Sequence, residues 1–180
     1  MRRMVILGCS GTGKSTFARR IGARLDLPVV HLDTLFWEPG WVEAETPVFR
    51  ERVIQALAAD EWVCDGNYMT KTADLRLPQA DAIVWIDQPV WLRIWRIAER
   101  ALMHQGKSRV DLTVGCPERF DRAFLAFLKF TWDFDRVTRP RIQAALDSRF
   151  PEKRVTHLRG DREIATYLAG LDLTDQRTTP

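Results

Sequence analysis

The sequence predicts one α/β domain built on a phosphate-binding turn, and three observations predict it. Gly8-Cys9-Ser10-Gly11-Thr12-Gly13-Lys14-Ser15 fits the pattern G-x-x-x-x-G-K-[ST] at every fixed position. That stretch follows the short apolar run Met4-Val5-Ile6-Leu7 and leads into Phe17, Ile21 and Leu25, which share one helical face. A chain of 180 residues is long enough for one well-buried α/β domain and too short for two.

A strand, a glycine-rich turn and a helix start together aim backbone N–H groups at an anion, and the helix N-terminus adds partial positive charge. Lys14 then reaches the outer phosphates of ATP and the Ser15 hydroxyl coordinates Mg²⁺. Gly8, Ser10, Gly11, Thr12, Gly13, Lys14, Ser15 and Thr16 are therefore the expected nucleotide contacts. The reaction is not named by the loop, because kinases, ATPases and GTPases share it.

Composition narrows the class. No apolar run approaches the roughly 18 to 20 residues of a membrane span. Met1-Arg2-Arg3 runs straight into the first strand, so a cleaved signal peptide would remove the site. Cys9, Cys64 and Cys116 are far apart, odd in number and without a C-x-x-C pair, which predicts a cytoplasmic protein with no disulfide and no zinc site. His31, His104 and His157 show no metal spacing and receive no chemical role. The net charge is +3, yet Arg93 to Arg141 holds eleven Lys or Arg against six Asp or Glu. That excess suits a phosphate-facing segment of a nucleotide enzyme, or a docking face for nucleic acid.

The remaining elements follow in order. Pro28 to Leu32 reads as a second strand ending at Asp33, where a carboxylate accepts a hydroxyl proton or caps the next turn. Trp37 and Trp41 stack on a ring-bearing ligand or pack their loop onto the body. Thr46-Pro47 opens a helix with Phe49, Val53 and Leu57 on one face and Arg50 and Arg52 elsewhere. A third strand, Glu61 to Cys64, ends in Asp65-Gly66-Asn67-Tyr68; Asp65 either holds a Mg²⁺-bound water or belongs to an ordinary Asp-Gly turn. Lys71 and Arg76 grip an acceptor phosphate or are solvated.

A fourth strand, Ala82 to Ile86, ends at Asp87, a second candidate for the metal. On the helix opened by Pro89, the spacing puts Trp91, Trp95, Ala98 and Leu102 on a core face, with Arg93, Arg96 and Arg100 opposite, where guanidiniums neutralise charge in phosphoryl transfer. Residues 104–118 read as a loop long enough to cover a site. Phe120, Phe124, Phe127, Leu128 and Phe134 mark an apolar helix, interrupted or bent at Arg139-Pro140-Arg141, with Arg136, Arg139 and Arg141 as further lid arginines. Val155 to Leu158 is a fifth strand; Arg159 would lie near the adenine, and Asp161 would cap a last helix. Residues 174–180 read as a polar tail.

The order of phosphate loop, Asp65-Gly66 and Arg96-Ile97-Ala98-Glu99-Arg100 resembles the adenylate-kinase-like nucleoside and nucleotide kinases. His31-Leu32-Asp33, Phe36-Trp37, Asp65-Gly66-Asn67-Tyr68, Leu75-Arg76-Leu77-Pro78 and Gly115-Cys116-Pro117-Glu118-Arg119 resemble, more closely, bacterial topology-modulation and adenylate-kinase-related proteins. Over roughly residues 3 to 170, the resemblance implies a five-stranded parallel sheet of order 2-3-1-4-5 in a three-layer α/β/α domain spanning 1–173. It also implies an acceptor region at about 34–60 and a helical lid. It implies that Lys14 and Ser15 hold donor phosphates and Mg²⁺, that Asp65 holds a metal-bound water, and that Arg96 and Arg100 are lid arginines. Where adenylate kinases carry Asp-Gly-Phe-Pro-Arg to grip an acceptor phosphate, this chain has Asn67-Tyr68-Met69, and its acceptor region is short.

The expected activity is therefore ATP- and Mg²⁺-dependent phosphoryl transfer to a small molecule. Asp33 serves as base for a hydroxyl acceptor, and Lys71, Arg76 or Arg50 matter for a monophosphate. Nucleotide-dependent DNA binding is the alternative, resting on the basic segment alone. Cys9 is either a thiol of lowered pKa at a helix start or a small buried filler.

Overall fold

The protein was analysed as a computed structural model, which describes residues 2–103, 113–117 and 120–175, with side chains through Leu171. Most of the expected lid, His104, Glu118, Arg119 and residues 176–180 lie outside the described residues.

The elements in order are β1 (Arg3–Gly8), α1 (Lys14–Leu25), β2 (Val29–His31), α2 (Leu32–Phe36), β3 (Trp37–Glu38), β4 (Val42–Glu43) and α3 (Thr46–Ala56). Then come β5 (Trp62–Asp65), α4 (Met69–Arg76), β6 (Ala82–Asp87), α5 (Val90–Met103), α6 (Arg122–Arg149), β7 (Val155–Arg159) and α7 (Gly160–Asp175). Five strands form one parallel sheet of order β2-β5-β1-β6-β7. Taken by their own sequence in the sheet, these strands run 2-3-1-4-5. The short pair β3-β4 is antiparallel and stands apart from that sheet.

The period of two along each strand builds the layers. Val5, Leu7, Cys64, Ile83 and Trp85 point to one face, where Phe49 and Val53 of α3, Ala73 of α4 and Phe134, Ile142 and Leu146 of α6 cover them. Met4, Ile6, Val63, Val84 and Ile86 point to the other, under Phe17, Ala18 and Ile21 of α1 and Leu168 and Leu171 of α7. With apolar side chains on both faces, the strands are the continuous hydrophobic runs a buried parallel sheet requires.

Several elements differ from the sequence reading. Asp33 lies in the first turn of α2 rather than at a strand end, and beside it the Thr34 hydroxyl donates to the His31 carbonyl at 2.7 Å. Thr46 is the first residue of α3, and its hydroxyl meets Lys71 Nζ at 3.3 Å instead of capping the helix. Helix α6 passes through Pro140 without a break, because flanking turns supply enough hydrogen bonds to carry one missing donor. Asp161 does not cap α7; the carboxylate accepting a backbone N–H at that helix start is Glu163, from Arg159 at 2.7 Å.

The faces of α5 are reversed from the expectation. Trp91 and Trp95 are 67% and 63% exposed and Leu102 is exposed beside them, whereas Arg93 is 0% exposed and Ile97 and Ala101 are buried with it. Apolar periodicity located two opposite stripes but carried no information about which stripe meets the body. An acid partner within reach, Asp135 of α6, decides it for the buried Arg93.

Candidate active site

The phosphate loop joins β1 to α1 and is shaped by its neighbours. Gly11 has φ +77, and a Cβ there would stand 2.5 Å from the Arg93 carbonyl oxygen in the first turn of α5. Gly8, at φ +141, lies so near β6 that a Cβ would stand 2.4 Å from the Ile86 carbonyl oxygen. Both contacts are with backbone, so neither can give way to a side chain. The buried Thr12 hydroxyl donates to the Cys9 carbonyl at 2.8 Å, and Lys14 Nζ donates to the same oxygen at 2.9 Å. Ser10, Lys14 and Ser15 are half-buried and Thr16 is exposed, while Thr12 braces the loop from within. Burial pushes the Cys9 thiol up against the opposing pull of Arg93 and Lys14, which makes it the filler rather than the reactive thiolate.

The turn after β5 is clamped to this loop. The Asn67 side chain accepts from Gly8 N–H at 3.1 Å and donates to Gly8 O at 2.9 Å, completing the backbone groups where β1 ends. Arg76, fully buried, donates to the Gly66 carbonyl at 2.8 Å and to the Asn67 carbonyl. It neither grips an acceptor phosphate nor sits in solvent. Arg76→Met keeps the volume and leaves both carbonyls without their charged donor. The expected loss is about 2 to 3 kcal/mol, read from the denaturant midpoint at unchanged slope.

Asp65 ends β5, nearly buried, with Oδ1 accepting from His31 Nδ1–H at 2.8 Å. Asp33 accepts at Oδ1 from the Tyr68 hydroxyl at 2.6 Å. Tyr68 is held at φ 31, with the rings of Phe36 and Phe49 4.7 and 5.0 Å away. Burial first, and the Asp33 charge second, push its phenol up, so it stays a donor at every working pH. Asp33 and Tyr68 belong to the α3 side of the sheet; His31 and Asp65 point to the α1 side by strand alternation.

The cations of the acceptor region are committed elsewhere. Arg50 makes two bonds to Asp74 at 2.9 and 2.7 Å and one to the Lys71 carbonyl, and Arg52 binds Glu38 at 2.8 Å and the Leu35 carbonyl. Lys71 rests over the Phe36 ring. The two tryptophans pack. Trp37 meets Trp41 edge-on at 5.4 Å, and Trp41 Nε1 donates to the Pro117 carbonyl at 2.9 Å. Gly40 N–H to Gly115 O at 2.8 Å ties the β3–β4 turn to the segment after α5, and Thr113 Oγ1 to Thr34 O at 3.0 Å ties that segment to α2.

Of the α5 arginines, Arg93 pairs with Asp135 behind the loop and lies against the Cys9 thiol. Arg96 is the one beside the phosphate loop: its Nη1 lies 4.0 Å from where a Gly13 Cβ would be, and Asp161 holds its other nitrogen at 3.1 Å. Gln88 Nε2 donates to the same carboxylate at 2.7 Å. Arg100 is half-buried one turn further on. Asp87 pairs with Arg139 at 2.7 Å, so the second metal candidate and one proposed lid arginine neutralise each other. Arg136 and Arg141 are exposed on α6. Arg159 is exposed at the end of β7, an edge strand with β6 between it and the loop. Arg93, Arg96, Lys129 and Arg139 of the basic segment are each paired with an aspartate, which leaves less free positive charge for nucleic acid than the sequence count implies.

The oxygen donors suit Mg²⁺. Ser15 is the second residue of α1, and Asp65 points to the same side of the sheet; a hard cation that keeps waters and takes ligands from phosphates needs little more from protein. Sequence reasoning gave no role to His31, Asn67 or Tyr68, although His31 lies two residues before Asp33 and Asn67 and Tyr68 follow directly on Asp65-Gly66. No helix among the described residues is long and apolar enough to cross a membrane.

No family model matches the sequence, and no curated protein matches it either. Among solved structures, the shikimate kinase from Acinetobacter baumannii in complex with shikimate is similar, with a TM-score of 0.57 at 15% identity, over 100% of this chain and 96% of that one. The chain thus shares the five-stranded parallel α/β fold of that shikimate kinase.

Proposed function

We propose that this protein transfers the γ-phosphoryl group of ATP, with Mg²⁺, to a hydroxyl group of a small molecule. The observation that carries the reading is Asp33 held by the Tyr68 hydroxyl at 2.6 Å, beside an acceptor region whose arginines are bound to Asp74, Glu38 and backbone carbonyls. A monophosphate acceptor would call on those arginines; a hydroxyl acceptor calls on a carboxylate.

Phosphoryl transfer asks the protein mainly to position groups and stabilise charge. Loop N–H groups and Lys14 hold the donor phosphates, Arg96 approaches the same anion from α5, and Asp33 takes the acceptor's proton while Tyr68 fixes its orientation. Arg100 adds to the positive side of α5. Ser15 and Asp65 would hold Mg²⁺, which would supply neutralisation of the charge that phosphoryl transfer develops.

The test is ATP turnover against a panel of nucleosides, shikimate, other hydroxyl compounds and nucleoside monophosphates. One or more hydroxyl compounds are expected to raise turnover above ATP hydrolysis alone. With that acceptor, Asp33→Asn should lower kcat about 100-fold or more, the scale of a general base. Tyr68→Phe should cost about tenfold, the worth of one orienting hydrogen bond. If no compound raises turnover, or Asp33→Asn leaves it unchanged, the proposal fails.

A further inference from the structure

We infer that His31 is a positioning residue for the metal–nucleotide complex: its Nδ1–H fixes Asp65 so that the carboxylate faces the cation held with Ser15. The inference rests on the phosphoryl-transfer reading only as far as nucleotide and cation binding, and not on the acceptor.

Four observations carry it. His31 and Asp65 are register partners on adjacent parallel strands, both at the last residue of their strand, where ligands bind in open α/β sheets. Strand alternation sends both side chains to the face covered by α1, the helix that begins with Lys14 and Ser15. Their contact is short, 2.8 Å, with side chains 12% and 6% exposed. A carboxylate can only accept, so Nδ1 carries the proton. Asp65 uses Oδ1 for this bond, and among the described residues Oδ2 makes no hydrogen bond.

The surrounding design has the same purpose. Asn67 ties the following turn to Gly8, and Arg76 holds the Gly66 and Asn67 carbonyls, so the backbone on both sides of the carboxylate is fixed. His31 supplies what those clamps leave out, the torsion of the Asp65 side chain. A buried polar pair of this kind is weak evidence for stability, since apolar residues of equal size often serve the fold as well. Carboxylates that bind cations are characteristically hydrogen-bonded in turn, and loss of that partner costs about 10- to 100-fold in metal affinity or activity.

The experiment measures Mn²⁺, as a paramagnetic substitute for Mg²⁺, by the loss of its free electron-paramagnetic-resonance signal on titration into protein saturated with ADP. Nucleotide affinity in EDTA is measured alongside. His31→Leu is expected to weaken Mn²⁺ binding to the ADP complex by about 10-fold or more while leaving EDTA affinity for ADP as it was. Asp65→Asn should weaken Mn²⁺ at least as much. His31→Asn places an N–H donor near the Nδ1 position and should recover most of the loss, which a role in packing alone would not predict. His31→Leu with wild-type Mn²⁺ affinity overturns the inference, as does an unaffected Asp65→Asn. Equal loss in His31→Leu and His31→Asn, with ADP affinity in EDTA also reduced, overturns it in favour of a purely structural histidine. If the wild type binds no Mn²⁺–ADP, nucleotide binding and this inference fall together. If it binds normally while no acceptor is phosphorylated, only the transfer reading falls.

Discussion

Lys14→Ala is expected to reduce phosphoryl transfer by about a hundred- to a thousandfold, the scale of removing one preorganised charge-stabilising donor. Lys14 is the first residue of α1, so its ammonium sits at the positive end of the helix, where charge would develop on the transferred group in the proposed reaction. Its recorded partner, the Cys9 carbonyl, belongs to the same loop, so exchanging contacts with phosphate moves the side chain only locally. Weaker ATP binding should accompany the fall in turnover, whereas the urea midpoint should hardly move, because the side chain is half-buried and bridges no other element. Acceptor-dependent turnover within tenfold of wild type would show that the loop does not act on the transferred group.

The largest expected effect on stability is at Asp135. Arg93 is wholly buried between the phosphate loop and α6, and Asp135 is its acid partner. Asp135→Ala leaves that guanidinium buried without its counter-charge, at a cost of about 3 kcal/mol. That is the low end for a broken buried pair, because the Asp135 side chain is 40% exposed and water replaces part of the interaction. Arg93→Met combined with Asp135→Leu should recover most of the loss, since an apolar pair of similar volume removes the desolvation penalty along with the attraction. Denaturant unfolding of Arg93→Met, Asp135→Leu and the double variant, alongside Asp135→Ala, checks this. Additive losses would mean that the two residues contribute independently.

Much of the site was legible because its chemistry is local in sequence. Spacing alone named Gly8 to Ser15, and the strands before Asp65 and Asp87 followed from short apolar runs. Asp33 was read at a strand end but lies in the first turn of α2, where the Tyr68 hydroxyl meets it. What failed was orientation. The two stripes of α5 were correctly separated and then assigned to the wrong sides, because a fully buried arginine needs a partner 42 residues away, a fact no periodicity contains. The same holds for Arg50, Arg76 and Arg139, where charge suggested ligands and tertiary neighbours supplied Asp74, two backbone carbonyls and Asp87 instead. His31 was passed over because its meaning depends on strand register, which appears only when β2 is laid beside β5.

The central position of β1 has a consequence for the order in which the protein assembles. Val5 pairs with Cys64 on one side and with Ile83 on the other, so the strand carrying the phosphate loop finds partners about 60 and about 80 residues downstream. Long loops must close before either pairing returns any free energy, which places this chain among slow folders relative to helical proteins of its size. A nascent chain that has not yet emerged past β6 presents β1 with an unpaired apolar edge, the kind of template on which strands of other chains associate. The phosphate loop is thus synthesised well before the segments that shape it, and waits on Ile86 and Arg93 to complete its walls.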